Sequence, residues 1–182
     1  DGLCLDLAKK LTGKLDQAQL VQAKSLLESP LAQGFTAAER SVGEGGAEGL
    51  TAYRTQLVDR PPREERLALV RRLDAAAHTT TLATLLRYEV GKTQAFLALQ
   101  ERGESIDEKA LSTQTKAQED ALRASSSQAV ESFMLYAYRQ MPSEKLAEYA
   151  ALYEQPAVAQ LLDSSVQVLP ELFAARRAQL KK

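Results

Sequence analysis

The sequence predicts an all-α fold: a multi-helix, bundle-like domain spanning residues 1–182, with one helical hairpin pattern repeated near both ends. Three observations predict it. The apolar content, 45% of residues, is mostly Ala and Leu with few aromatics and no Trp, a mix that favours helix over strand. Apolar positions recur at the three- and four-residue spacing of one buried helical face, punctuated by Gly and Pro. Finally, residues 15–35 align without a gap on residues 141–161. At 182 residues, such a domain buries roughly 70% of the surface its unfolded chain exposes and needs no covalent staple.

Leu3, Leu5, Leu7 and Leu11 place an apolar stripe on a first short helix, predicted to end near Thr12-Gly13, where Gly suits a left-handed cap. Asp16 stands three before Gln19, a capping-box spacing, and Leu20, Ala23, Leu26 and Leu27 follow on one face. That helix stops at Ser29-Pro30; Ser29 caps the next and Pro30 suits its first turn, where no N–H is required. Gly43-Glu44-Gly45-Gly46 is the clearest break, because three glycines in four residues cost too much backbone entropy inside a helix.

A short helix around Leu50, Tyr53 and Leu57 ends at Asp59-Arg60-Pro61-Pro62. Arg63 to Ala77 restarts with Leu67, Val70 and Leu73 inward and Glu64 and Glu65 in the first turn. From Thr79 to Leu99 the apolar residues Leu82, Leu85, Leu86, Val90, Phe96 and Leu97 spread around the wheel, which predicts a central, largely buried helix. Arg102-Gly103 closes it, and Ser105 with Glu108 forms a second capping-box spacing. Ile106 to Gln140 contains no Gly or Pro and reads as one long helix, or two with a kink near Ser125-Ser126-Ser127. Pro142 ends it. A helix follows over Ser143–Tyr153, and the last begins at Pro156, with a kink or break expected near Leu169 because Pro170 lacks the N–H that the helix needs.

The internal repeat is displaced by 126 residues. It pairs Leu20 with Leu146, Leu26 with Leu152, Glu28 with Glu154 and Pro30 with Pro156. These four are the buried leucines, the last acidic residue and the turn proline of one supersecondary unit: a three-turn helix, a Pro-started turn and a second helix packed back. Two copies are too few for a solenoid. The pattern L-x-x-L-x-x-[FY]-x-S-P, seen in Leu146–Pro156 and again in Leu20–Pro30 with Leu27 at the aromatic position, resembles the domain-of-unknown-function family 2059 of exported Gram-negative proteins. Gln155 stands where that family usually has Ser, and Ala32 and Val158 occupy the position of its small residue. The first turn, at Ser29-Pro30, is therefore expected to be sharper than the second, at Gln155-Pro156. The resemblance implies an all-helical periplasmic or secreted protein with no assigned activity. The chain starts at Asp1 rather than Met, as either a removed signal peptide or a trimmed polypeptide would leave it.

A net charge of −1 gives no global basic field, which argues against nucleic-acid binding. The local excess of Arg176, Arg177, Lys181 and Lys182 fits cations complementing the dipole of a last helical turn. No apolar stretch approaches the ~20 residues of a membrane span. Cys4 is alone, so it forms no intrachain disulfide, and one sulfur with one histidine builds no thiolate zinc site; cross-linking two chains in an oxidising compartment stays open to it.

Motifs for cofactors fail on inspection. Gly91-Lys92-Thr93 is the tail of a phosphate-binding loop, but Leu86 occupies the position of the required earlier Gly. His78, the one histidine, sits at a helix junction and reads as a cap or surface residue, because a general base needs a nearby orienter. Neighbouring acids such as Glu64/Glu65, Asp107/Glu108 and Glu119/Asp120 point about 100° apart on a helix and do not converge. No cofactor or metal is expected.

Tyr136, Tyr138, Tyr149 and Tyr153 cluster in one region, with Phe133 and Phe173 near in sequence. They form either the packed core of the last helices or an interaction surface, where Tyr is enriched. The leading expectation is a non-enzymatic exported domain acting through contacts with another envelope or host protein, as a monomer or weak homodimer. The rival is an enzyme or small-ligand binder with a pocket among the central helices, lined by Tyr88, His78 and nearby carboxylates.

Overall fold

A computed structural model describes residues 2–181, so Asp1 and Lys182 of the terminal readings lie outside the described residues. Those residues form helices throughout and no strand: α1 (Gly2–Lys14), α2 (Gln17–Leu27), α3 (Pro30–Glu44), α4 (Ala47–Asp59), α5 (Glu64–Ala77), α6 (Thr79–Glu101), α7 (Glu108–Ala137), α8 (Ser143–Glu154) and α9 (Pro156–Gln179). The all-α, bundle-like fold is the one predicted. α6 and α7 run antiparallel, tied by Lys92 to Ser112 and Tyr88 to Thr115. α5 packs on α8, and α1, α2 and α6 lie against α9.

Both copies of the repeat fold as the same pair, α2–α3 and α8–α9, whose helix starts keep the 126-residue displacement. The order of turn tightness is the reverse of the expectation. Gln155 alone separates α8 from α9, in extended conformation with no side-chain cap, whereas Glu28 and Ser29 separate α2 from α3. Ser29 stabilises the longer turn from both sides: its Oγ accepts from the Ala32 N–H at 3.4 Å and donates to the Leu26 carbonyl at 2.7 Å.

The two hairpins meet through aromatic rings. Phe35 of α3, fully buried, stacks on Tyr149 of α8 with centroids 4.2 Å apart and meets the edge of Tyr138 at 5.0 Å. Val70, Leu73, Leu146 and Val158 complete the centre of this core. Burying each such side chain contributes roughly 1.5–3 kcal/mol against leaving it exposed.

Several boundaries differ from the reading of the sequence, each for a local reason. α1 passes through Gly13, and α3 through Gly43 to Glu44; the break falls at Gly45-Gly46, where Gly46 takes a positive φ of 78°. α7 is one continuous helix, and it is capped by Asp107, whose Oδ1 accepts from the Ala110 N–H at 2.7 Å. Ser105 does not cap it, because Glu108 is held by α9 rather than reaching back. α9 continues through Pro170 without a break. The largest correction concerns α6, whose buried set is Thr84, Glu89, Lys92 and Phe96, while Leu86, Val90 and Leu97 are 40–48% exposed. α7 and α9 cover only one face of it, and that face is largely polar.

Candidate functional site

The four tyrosines do not share one surface. α8 places Tyr149 and Tyr153 one turn apart, on the face that meets α3, so the Tyr149 ring is buried and Tyr153 is half-buried beside it, edge-on at 5.1 Å. Tyr138 ends α7 and is buried against Phe35. The interaction-surface reading of Tyr138 and Tyr149 is therefore replaced by a core role, because their rings fill the seam between the hairpins. Tyr136 points to α4, packing near Tyr53 and under the Arg139 guanidinium at 4.1 Å, against Gly49, where a Cβ would not fit.

Buried phenols need partners for their hydroxyls. The Tyr138 hydroxyl donates to Glu39 Oε1, and the Tyr149 and Tyr153 hydroxyls lie 3.3 Å apart. Glu39 reaches this point because it stands one turn after Phe35 on the same face of α3. Burial, then the Glu39 hydrogen bond, pushes the Tyr138 hydroxyl well above the usual phenol range; burial and Tyr153 do the same to Tyr149. Both phenols are neutral at any physiological pH.

These hydroxyls and Glu39 line a cleft of about 460 Å³. Apart from Thr79 at the start of α6, its remaining wall is apolar, with Leu73 of α5, Leu82, Ala83 and Leu86 of α6, Phe133 of α7 and Leu162 of α9. An apolar cleft with a few convergent polar groups is the usual form of a small-molecule site. A hollow of about 610 Å³ under the Gly103–Ile106 loop is larger but is flanked by exposed residues such as Glu101 and Glu104.

Tyr88 and His78 do not come together. His78 stands at the α5–α6 junction, ten residues before Tyr88 and about 15 Å away along the helix axis, and neither lines the cleft. His78 closes α5 in left-handed conformation (φ 53°), and its Nε2 sits 2.7 Å from Asp163 Oδ1. No hydroxyl or thiol bonds to that imidazole among the described residues. The Tyr88 hydroxyl is 3.0 Å from Thr115 Oγ1. Cys4 is exposed. Among the described residues no group of three His, Cys, Asp or Glu side chains converges as a metal site, and no helix is long and apolar enough to cross a membrane.

One cluster has no counterpart in the sequence reading. Arg177, assigned there to the helix dipole, is buried between Glu89 and Glu108, with Nη1 2.7 Å from Glu89 Oε2 and Nη2 2.5 Å from Glu108 Oε1. Lys92, the lysine of the failed phosphate motif, sits 3.1 Å from Glu108 Oε1 and donates to Ser112 Oγ at 2.9 Å. Two cations and two carboxylates thus neutralise each other where α6, α7 and α9 meet. The Arg177 hydrogen bond holds the Glu108 carboxyl below its ordinary range despite partial burial. Burial opposes the Arg177 charge, but its bonds to Glu108 and Glu89 more than offset this and raise its pKa. With its charges already paired inside the protein, this quartet fixes helix register. Its sequence signal is an acid and a base three residues apart, Glu89 and Lys92, on one face of α6.

Comparison with known proteins finds no match to any protein-family profile, curated protein or solved structure.

Proposed function

We propose that the chain is a non-enzymatic helical binding domain, exported to the periplasm or secreted, and that the tyrosine-floored cleft is its ligand site. The observation that carries this reading is the convergence of Glu39 and the Tyr138, Tyr149 and Tyr153 hydroxyls at a largely apolar cleft of about 460 Å³. Its size falls within the roughly 300–1,000 Å³ of small-molecule sites. A non-enzymatic role is supported by the pairing of the other titratable groups. His78 engages Asp163, and the buried carboxylates engage Arg177 and Lys92. Export is supported by the resemblance of Leu146–Pro156 to the domain-of-unknown-function family 2059.

The test uses N-phenyl-1-naphthylamine, a neutral apolar fluorophore. Its emission should rise saturably with the parent protein, and Ala83→Trp, which fills the cleft, should abolish the rise while the circular dichroism stays helical. Unchanged binding by a folded Ala83→Trp protein would place the probe elsewhere and overturn the reading.

A second reading, contact with another envelope or host protein, is favoured by a separate observation. Leu86, Val90 and Leu97 project from one side of α6 within about 40° of each other at 100° per residue, and all three are exposed. A photoreactive residue at Val90 should then capture one defined protein in the producing cells, and the capture should disappear with Leu86→Gln and Leu97→Gln together. Persistence of the adduct in that double variant would count against this face.

A further inference from the structure

We propose that the ligand of the cleft is a small amphiphilic cation, an ammonium head on an apolar chain, with its head at Glu39 and the tyrosine hydroxyls and its chain along Leu82, Leu86 and Leu162. The inference rests on the cleft being the ligand site and adds the chemical class of the occupant.

Glu39 is half-buried at the cleft, and among the described residues it forms no ion pair. Its partner is the neutral Tyr138 hydroxyl. Arg66, the cation that meets Tyr138, donates instead to the Tyr138 carbonyl and to Ser143 Oγ, 3.2 Å away. Buried charges are ordinarily paired, and the contrast within this protein is plain. The buried Glu89 has a guanidinium at 2.7 Å, whereas Glu39 faces a cleft. The Glu39 charge also reaches Tyr149 and Tyr153, where it contributes to raising both phenols.

The lining around Glu39 suits the same head group. Phenol and phenyl faces attract cations through their ring quadrupole, the interaction that aromatic cages use for alkylammonium groups, and the half-buried Tyr153 and Phe133 line the cleft. An ammonium donates hydrogen bonds that a carboxylate and phenol oxygens accept. A carboxylate or phosphate head would meet Glu39 as a like charge. The apolar wall then takes the chain, with Leu86, 42% exposed, at the side open to water.

Three probes with one chain length separate the possibilities: decylamine, decanol and decanoate, titrated below their aggregation concentrations at pH 7. Binding is read from displacement of N-phenyl-1-naphthylamine and from tyrosine emission, which no Trp obscures. Decylamine is expected to bind at least tenfold more tightly than decanol, with decanoate weakest. Glu39→Gln, which keeps an acceptor for the Tyr138 hydroxyl, should remove the preference for the amine, so that decylamine and decanol bind alike. Equal binding of amine and alcohol by the parent protein, or a preference for decanoate, overturns the cationic ligand and leaves the cleft reading standing. Failure of all three probes to displace a bound fluorophore overturns the cationic ligand alone, and failure of the fluorophore itself to bind overturns both. The parent comparison needs no variant, so a poorly folding Glu39→Gln protein does not rescue the inference.

Discussion

Arg177 and Phe35 show two kinds of buried side chain with opposite consequences. Phe35 is apolar on all sides, stacked on Tyr149 and edge-on to Tyr138; Phe35→Ala should cost about 3–5 kcal/mol, read from urea denaturation. Arg177 stands between two carboxylates, and shortening it leaves Glu89 buried without its counter-charge. Arg177→Ala should therefore cost a similar ~3–5 kcal/mol, and Glu89→Gln in the Arg177→Ala background should recover part of the loss. Lack of any recovery would mean that the cost is packing alone. Glu108 adds a pH dependence. Its pKa is lowered in the fold, so its contribution is complete above the ordinary carboxylate pKa of 4.5 and is lost as pH falls through the depressed folded value. Glu108→Gln should flatten the acid limb of the stability curve; an unchanged limb would contradict its pairing with Arg177 and Lys92. Periodicity pointed to the apolar residues of this scale, such as Val70 and Leu73. It says nothing about which charges are buried, since Arg177 looks the same in sequence as a solvent-exposed cation at a helix end.

At the scale of the element, the repeat is the feature most legible in the sequence, and the structure shows why it is imperfect. Leu146 and Leu152 of α8 are buried, while their counterparts Leu20 and Leu26 in α2 are half-buried, because α8 is covered by α3, α5 and α9 and α2 by fewer neighbours. Leu152→Ala should accordingly destabilise more than Leu26→Ala, the former by ~2–5 kcal/mol. Pro30→Ala and Pro156→Ala should both be milder than either, because a proline in the first helical turn forgoes no hydrogen bond. Thermal melts of the four variants check this order; a proline variant as damaging as Leu152→Ala would refute it. Helix starts marked by Asp16, Ser29 and Pro156 were readable because a cap is local chemistry. The continuity of α9 through Pro170 and the exposure of α6 were not, since both depend on which neighbours cover a helix.

At the scale of the molecule, the cleft exists because the two hairpins interlock. α3 of the first copy brings Phe35 and Glu39 onto α8 of the second, and α5, α6, α7 and α9 close the sides. Spacing pointed to tyrosines gathered near one end of the chain but not to the carboxylate at their hydroxyls, since Glu39 and Tyr138 lie 99 residues apart. The two methionines give a direct reading of whether this cleft binds. Met134 lines it, while Met141 lies in the turn before α8 and outside it. With methyl-labelled methionine, and the two NMR signals assigned by Met141→Leu, titration with N-phenyl-1-naphthylamine should move the Met134 signal saturably and leave Met141 in place. A shift confined to Met141, or no shift of Met134 at saturating probe, would contradict the assignment of the tyrosine-floored cleft as the binding site.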